Sequence, residues 1–199
     1  MLKNNFFTRN KTLLIVLGII LILLIYFIGA YNRFVTLDQD VNGKWSEVEN
    51  QYQRQADLIP NLVSTVSSAV KVETKFVTDV TEARSRWQTS KTLFEKDTAG
   101  AQMNNGITAL INAVATSESY PVLQANKQYV ALTDELTGTQ NRIAVARGRY
   151  IESIQKYNTA IKRFPANLLA NLYSFSVKDY YKAELSALKT PELGTGELL

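Results

Sequence analysis

Apolar residues recur along this chain at steps of three and four almost from end to end, apart from one stretch near the start where the polar gaps vanish. From Thr12 to Asn32 no residue is charged, and Leu13 to Ile28 is almost wholly aliphatic. Such a segment, 21 residues long, makes a helix of about 31 Å at about 1.5 Å per residue, matching the hydrocarbon thickness of a bilayer. A removable signal peptide is the competing reading, but its apolar region runs about 7 to 15 residues and ends in a small-x-small site. Here the run is longer, and Ala30 has Ile28 two positions before it. A retained transmembrane helix over 12–32 is therefore expected.

The rest of the chain reads as helix. Phe34, Leu37, Val41, Trp45, Val48, Tyr52 and Ile59 form one stripe; Ile59, Leu62, Val66, Ala69, Phe76, Val80, Ala83 and Trp87 form a second. Tyr129, Leu132, Leu136, Ile143, Ala146, Tyr150, Ile154, Tyr157, Ile161 and Phe164 make the cleanest series. Narrow stripes sustained over five or more turns predict long helices with coiled-coil packing. Pro60 fits a helix start with Asp57 as cap, so one helix is expected to end near Gln55 and the next to begin near Pro60. That second helix is expected to stop at Asp97-Thr98-Ala99-Gly100. A shorter helix fits Met103 to Ser119, with Pro121 interrupting it. The longest is expected from about Ala125 to Arg163, closed by Phe164-Pro165, and a short amphipathic piece follows from Asn167 to Phe175. Strand-like alternation is absent. The expected fold is all-α: the membrane helix continues into an elongated antiparallel bundle, four-helix-bundle-like, over 33–183, with a disordered tail over 184–199.

Composition narrows the chemistry. The chain has 199 residues with no histidine and no cysteine. This excludes thiol and Ser-His-Asp catalysis, disulfides, and zinc sites built on Cys or His. The net charge of +4 is unevenly placed: Lys3, Arg9, Lys11 and Arg33 face no acid before Phe34, and the remainder carries 18 basic and 18 acidic residues. A balanced remainder has no electrostatic footprint for nucleic acid. Three cations before the span against Arg33, Asp38 and Asp40 after it place residues 1–11 in the cytoplasm and the bundle outside it.

Candidate sites each have a structural alternative. Asp38, Asp40, Asn42, Gly43 and Glu49 fit the calcium-loop pattern D-x-[DN]-x-[DN]-G-x5-E. A calcium loop must break the helix, however, and the stripe from Phe34 to Tyr52 crosses it in phase, so uninterrupted helix is the favoured reading. Glu47, Glu73, Glu82, Glu118 and Glu152 suggest a di-iron bundle, but that chemistry needs Glu-x-x-His and no histidine exists. No cofactor and no catalytic constellation is expected. Arg142, Arg147 and Arg149 read as a solvated face paired with Asp134, Glu135 and Glu152. Phe164, Tyr173, Phe175, Tyr180 and Tyr181 are expected to cap the bundle end as core, the alternative being a contact surface for protein or membrane.

Several segments together resemble one family. Tyr31-Asn32-Arg33-Phe34-Val35, Trp45 to Arg54, and Asp57-Leu58-Ile59-Pro60-Asn61-Leu62-Val63 come first. Thr81-Glu82-Ala83-Arg84, Tyr120-Pro121, Asn141 to Arg147 with Tyr150, and Tyr157 to Pro165 follow in order. The pattern is similar to that of the LemA family over about Leu13 to Tyr181. Two departures stand out: Gln55 replaces a common arginine, and Lys71-Val72-Glu73 lacks the histidine many relatives place before that glutamate. The resemblance implies a bacterial membrane-anchored helical bundle and no settled biochemical activity.

A non-enzymatic, single-pass protein of the cell membrane follows as the expectation, with an interaction or scaffold role toward another envelope or membrane protein. Asp57, Pro60, Phe164 and Pro165 are expected to act as cap and turn residues, with Arg54 ordering the turn near Asp57. Gln53, Arg54 and Asn61 are the expected partner-binding edge. A ligand- or calcium-responsive envelope regulator is the alternative. The apolar stripes can close within one chain or between two copies.

Overall fold

The computed structural model of the chain describes residues 4–69, 74–117 and 120–180. Among these, all regular structure is helical: α1 Asn4–Ala69, α2 Thr74–Thr89, α3 Leu93–Thr116, α4 Pro121–Gln124, α5 Lys127–Lys162 and α6 Ala166–Leu172. Two compact units share the chain, one made of residues 42–150 and the other of residues 1–41 with 151–199. The expected tail over 184–199, and Tyr181, lie outside the described residues, as do Glu73, Glu118 and the Lys71-Val72-Glu73 departure.

The unit of residues 42–150 is a four-helix bundle whose directions follow from its paired side chains. Tyr52 meets Trp87 at 6.4 Å between rings, while Arg84 bonds to the backbone of Ala56, so α1 and α2 are antiparallel. Arg86 reaches Gln102 and Val80 lies against Gly106, which makes α2 and α3 antiparallel. Asp97 pairs with Arg147 and Asn104 with Gln140, so α5 runs against α3. The core holds Val48, Tyr52, Ala56, Ile59, Leu62 and Val66 from α1, with Met103, Ile107, Leu110 and Val114 from α3, all fully buried or nearly so. Val48, Tyr52, Ile59, Leu62 and Val66 are stripe residues, spaced to bury one helix face.

The breaks differ from those expected. Pro60 does not start a helix: α1 passes through it and ends at Ala69. An interior proline cannot donate to the carbonyl four residues earlier, here that of Ala56. Arg84 supplies the missing donor, its Nε lying 2.8 Å from the Ala56 oxygen. Nor do Asp97 to Gly100 end a helix; they lie within α3, with Asp97, Ala99 and Gly100 buried. The actual break is at Ser90 to Thr92, where Thr92 and Glu95 form a reciprocal capping box. Gly100 is a packing residue, since a Cβ there would lie 2.5 Å from the Tyr52 ring.

The second unit contains the N-terminal part of α1, the end of α5, α6 and the segment 173–180. Leu13 is 64% exposed and Ile28 62%, whereas Phe34 is 1% exposed. This apolar part of α1 is long enough to cross a membrane. Phe34 and Val41 pack in this unit's core, together with Ile154, Tyr157, Ile161 and Leu169. α6 ends in a Schellman motif: the amide of Phe175 donates to the Ala170 carbonyl at 2.9 Å and that of Ser174 to Asn171 at 3.3 Å. Ser174 occupies the left-handed region at φ 60°. Phe164 ends the α5 stripe but is 76% exposed, because α5 stops at Lys162 and Phe164 lies beyond its last turn.

Candidate functional site

Gln53, Asp57 and Asn61 are exposed at successive four-residue steps on α1, so they share one helix edge. The Gln53 amide donates to Asp57 Oδ1 at 2.8 Å, and the Asn61 carbonyl accepts from the Thr65 hydroxyl at 2.8 Å. Asp57 therefore braces a continuing helix and is not a cap. Arg54 does not order a local turn with Asp57. Its Nε and Nη2 donate to Glu135 Oε1 on α5 at 3.0 and 2.5 Å, and Arg142 shares that oxygen at 3.2 Å. Arg54 is thus exposed yet held in one geometry by a charge-assisted pair.

Next to this edge, Glu47, Asn50, Gln51, Asn141, Arg142 and Arg149 line a groove between α1 and α5 of about 430 Å³. Two segments far apart in sequence, Trp45 to Arg54 and Asn141 to Arg149, meet there. Among the described residues, the buried Oε1 of Gln51 has no hydrogen-bond partner. The groove joins amides, two cations and one carboxylate, a set suited to polar, hydrogen-bonded recognition. Both segments are legible in the sequence only as separate stretches; of the three arginines expected to face Asp134, Glu135 and Glu152, Arg142 meets Glu135. Arg147 and Arg149 have other partners: Arg147 pairs with Asp97 at 2.6 Å and Arg149 lies 4.0 Å from Glu47.

The interior of this unit is polar along one seam. Gln55, fully buried, donates to Asn104 Oδ1 at 2.6 Å, and Gln140 donates to the Asn104 carbonyl and to Thr108. The Arg147 guanidinium also lies over the Tyr52 ring at 5.6 Å. Burial pushes the Asp97 carboxyl above its ordinary value, against the opposing pull of Arg147. Burial likewise raises Tyr150, helped by the Asp97 charge. Such a seam fixes helix register, because each buried polar group must meet its partner.

The residues of the calcium-loop pattern are continuous helix within α1. Asp38 pairs with Lys178 at 2.9 Å, and Glu49 pairs with Lys96. The carboxylates of Glu47, Glu82 and Glu152 pair with Lys44, Arg86 and Lys156. Among the described residues no group of three acids is placed to hold a metal. Of the five aromatics expected to cap the bundle end, Phe175 does so, packing on Tyr31 and Phe34; Phe164, Tyr173 and Tyr180 remain exposed.

A helical bundle protein with an exposed apolar N-terminal helix is what the geometry defines. Residues 44–193 match the model of the LemA family, and the chain belongs to that family. Among curated relatives it is similar to the magnetosome proteins MamQ 1 and MamQ 2 of Paramagnetospirillum magneticum, each 26% identical over 81% of this chain and 67% of theirs. Magnetosome protein MamQ of Magnetospirillum gryphiswaldense is 25% identical over 76% of this chain and 64% of its own. The chain thus spans about two thirds of the length of these relatives.

Proposed function

We propose that the protein is a single-pass membrane protein that acts by binding and not by catalysis. In this reading α1 crosses the bilayer over 12–32, residues 1–11 lie in the cytoplasm, and the rest of the chain lies outside it. One observation carries the spanning reading: nearly all the large apolar side chains from Leu13 to Ile28 are exposed, on a helix that becomes buried at Phe34. Each large aliphatic side chain left in water forgoes roughly 1.5 to 3 kcal/mol, so a row of them calls for an apolar solvent. Lys3, Arg9 and Lys11 support the orientation through the positive-inside rule. Gln53, Arg54 and Asn61, with the adjoining groove, are the proposed docking edge for another envelope or membrane protein.

Topology is tested by protease treatment of intact spheroplasts, where cleavage within the bundle is expected. Full protection until lysis would reverse the orientation. For the docking edge, photoreactive side chains placed at Gln53 and Asn61 should crosslink a second membrane protein. Recovery of this chain alone would refute a heterologous partner and indicate self-association.

A further inference from the structure

A second groove lies in the unit of residues 1–41 and 151–199, with a volume of about 720 Å³. Tyr26, Gly29 and Ala30, from the uncharged stretch of α1, line one part of it, and Arg33, Lys156 and Arg163 line another. It therefore runs from hydrocarbon-like to cationic surroundings within about two turns of one helix. Lys156 is engaged with Glu152 at 2.8 Å. Arg33 and Arg163 are exposed and have no acidic partner among the described residues. Phe164, which also lines the groove, is 76% exposed, and Leu168 and Leu172 of α6 are 61% and 72% exposed.

Other contacts place this surface at the level where α1 changes from uncharged to charged. The ring of Tyr173 meets Tyr31 at 5.0 Å, and Phe175 meets Phe34 at 5.4 Å. The following segment is fastened down: Asn158 makes two hydrogen bonds to the backbone of Lys178, at 2.7 and 2.9 Å, and Tyr157 donates to the Ser176 carbonyl at 3.0 Å. The rings of Tyr173 and Phe175 are thus held against α1 at the end of its uncharged stretch.

We propose that this groove binds one anionic phospholipid of the leaflet that α1 enters, a step that rests on the spanning reading. The guanidinium groups of Arg33 and Arg163 receive the phosphate, for which their planar donor forks are suited. An acyl chain lies along Tyr26, Gly29 and Ala30, where the small residues leave α1 without bulk. Phe164, Leu168 and Leu172 enter the acyl boundary as an interfacial anchor. Charge complementarity and continuity with the apolar span favour a lipid over a protein occupant.

The test uses the full chain in nanodiscs of phosphatidylcholine with graded phosphatidylglycerol, reading bound lipid by native mass spectrometry after release. Wild type should retain phosphatidylglycerol. The double variant Arg33→Gln/Arg163→Gln should weaken that retention about twenty-five-fold, at about fivefold per juxtamembrane cation. Gly29→Leu, which fills the groove with charges intact, should weaken it as well. Unchanged retention in both variants, with helical circular dichroism preserved, would overturn the proposal. So would displacement of the lipid by millimolar inorganic phosphate, or crosslinking from a photoreactive Phe164 position to a polypeptide in place of lipid. Alkaline carbonate extraction separates the two levels: a chain stripped from membranes sinks the spanning reading and the groove with it. A chain that resists extraction but ignores phosphatidylglycerol sinks the groove alone.

Discussion

Pro60 sits inside α1, and the helix survives because a side chain from another helix replaces the hydrogen bond that proline removes. Ala56 is fully buried, so its carbonyl has no access to water as a substitute. The Arg84 Nε contact at 2.8 Å is a hydrogen bond from a charged donor, worth about 1.5 to 3 kcal/mol. Arg84→Met should therefore destabilise the bundle by about 2 kcal/mol, leaving the carbonyl unsatisfied. In a Pro60→Ala background the restored amide serves the same carbonyl, and the cost of Arg84→Met should fall to about 0.5 kcal/mol. The expected coupling is about 1.5 kcal/mol, well above the roughly 0.3 to 0.5 kcal/mol scatter of independent sites. Urea unfolding of the full chain in nanodiscs measures it through tryptophan emission, because Trp87 is buried within this unit beside Tyr52. Additive single variants would refute the compensation and leave Arg84 as an incidental contact.

Three further outcomes are expected. Gly100→Ala, which on an open helix would stabilise by about 1 kcal/mol, should instead destabilise by about 1 to 3 kcal/mol, because the new Cβ enters the Tyr52 ring; thermal melting gives the sign. Ser174→Gly should stabilise the end of α6 by about 1 kcal/mol by relieving the left-handed backbone, read as slower amide exchange at Phe175. Backbone bonds from Lys91 and Thr92 hold the Glu95 carboxyl below its ordinary value. The folded state thus favours the ionised form, and the capping box contributes at neutral pH and weakens as pH falls through that lowered value. An NMR titration should show the Glu95 midpoint return toward that of an ordinary glutamate in Thr92→Ala.

The pattern of apolar positions contained most of the architecture, since helix period and segment length are local properties. The long apolar N-terminal helix, the stripe through Phe34 to Tyr52, and α5 to within two residues of each end were all legible. The break at Ser90 to Thr92 was legible too, as Thr92-Leu93-Phe94-Glu95 spells a capping box, but the apolar stripe through Trp87 and the glycine at position 100 drew attention further along. Charge placement put Arg142 among acids that include Glu135, its partner in the structure, because residues seven apart share a helix face.

What the sequence could not determine are relations between residues that meet only when helices pack. A proline forbids a hydrogen bond locally, and only the bundle brings Arg84 to the orphaned Ala56 carbonyl and so turns an apparent helix start into a helix interior. A glycine looks like a breaker until the Tyr52 ring occupies the space a side chain would need. Asp97 and Arg147 lie 50 residues apart as a partly buried pair, and no spacing rule links them. Both grooves, with amides and cations in one and paired apolar and cationic linings in the other, exist because antiparallel helices return distant segments to each other. Periodicity decides which face a helix buries; the docking of helices decides which polar groups share a surface and what that surface can recognise.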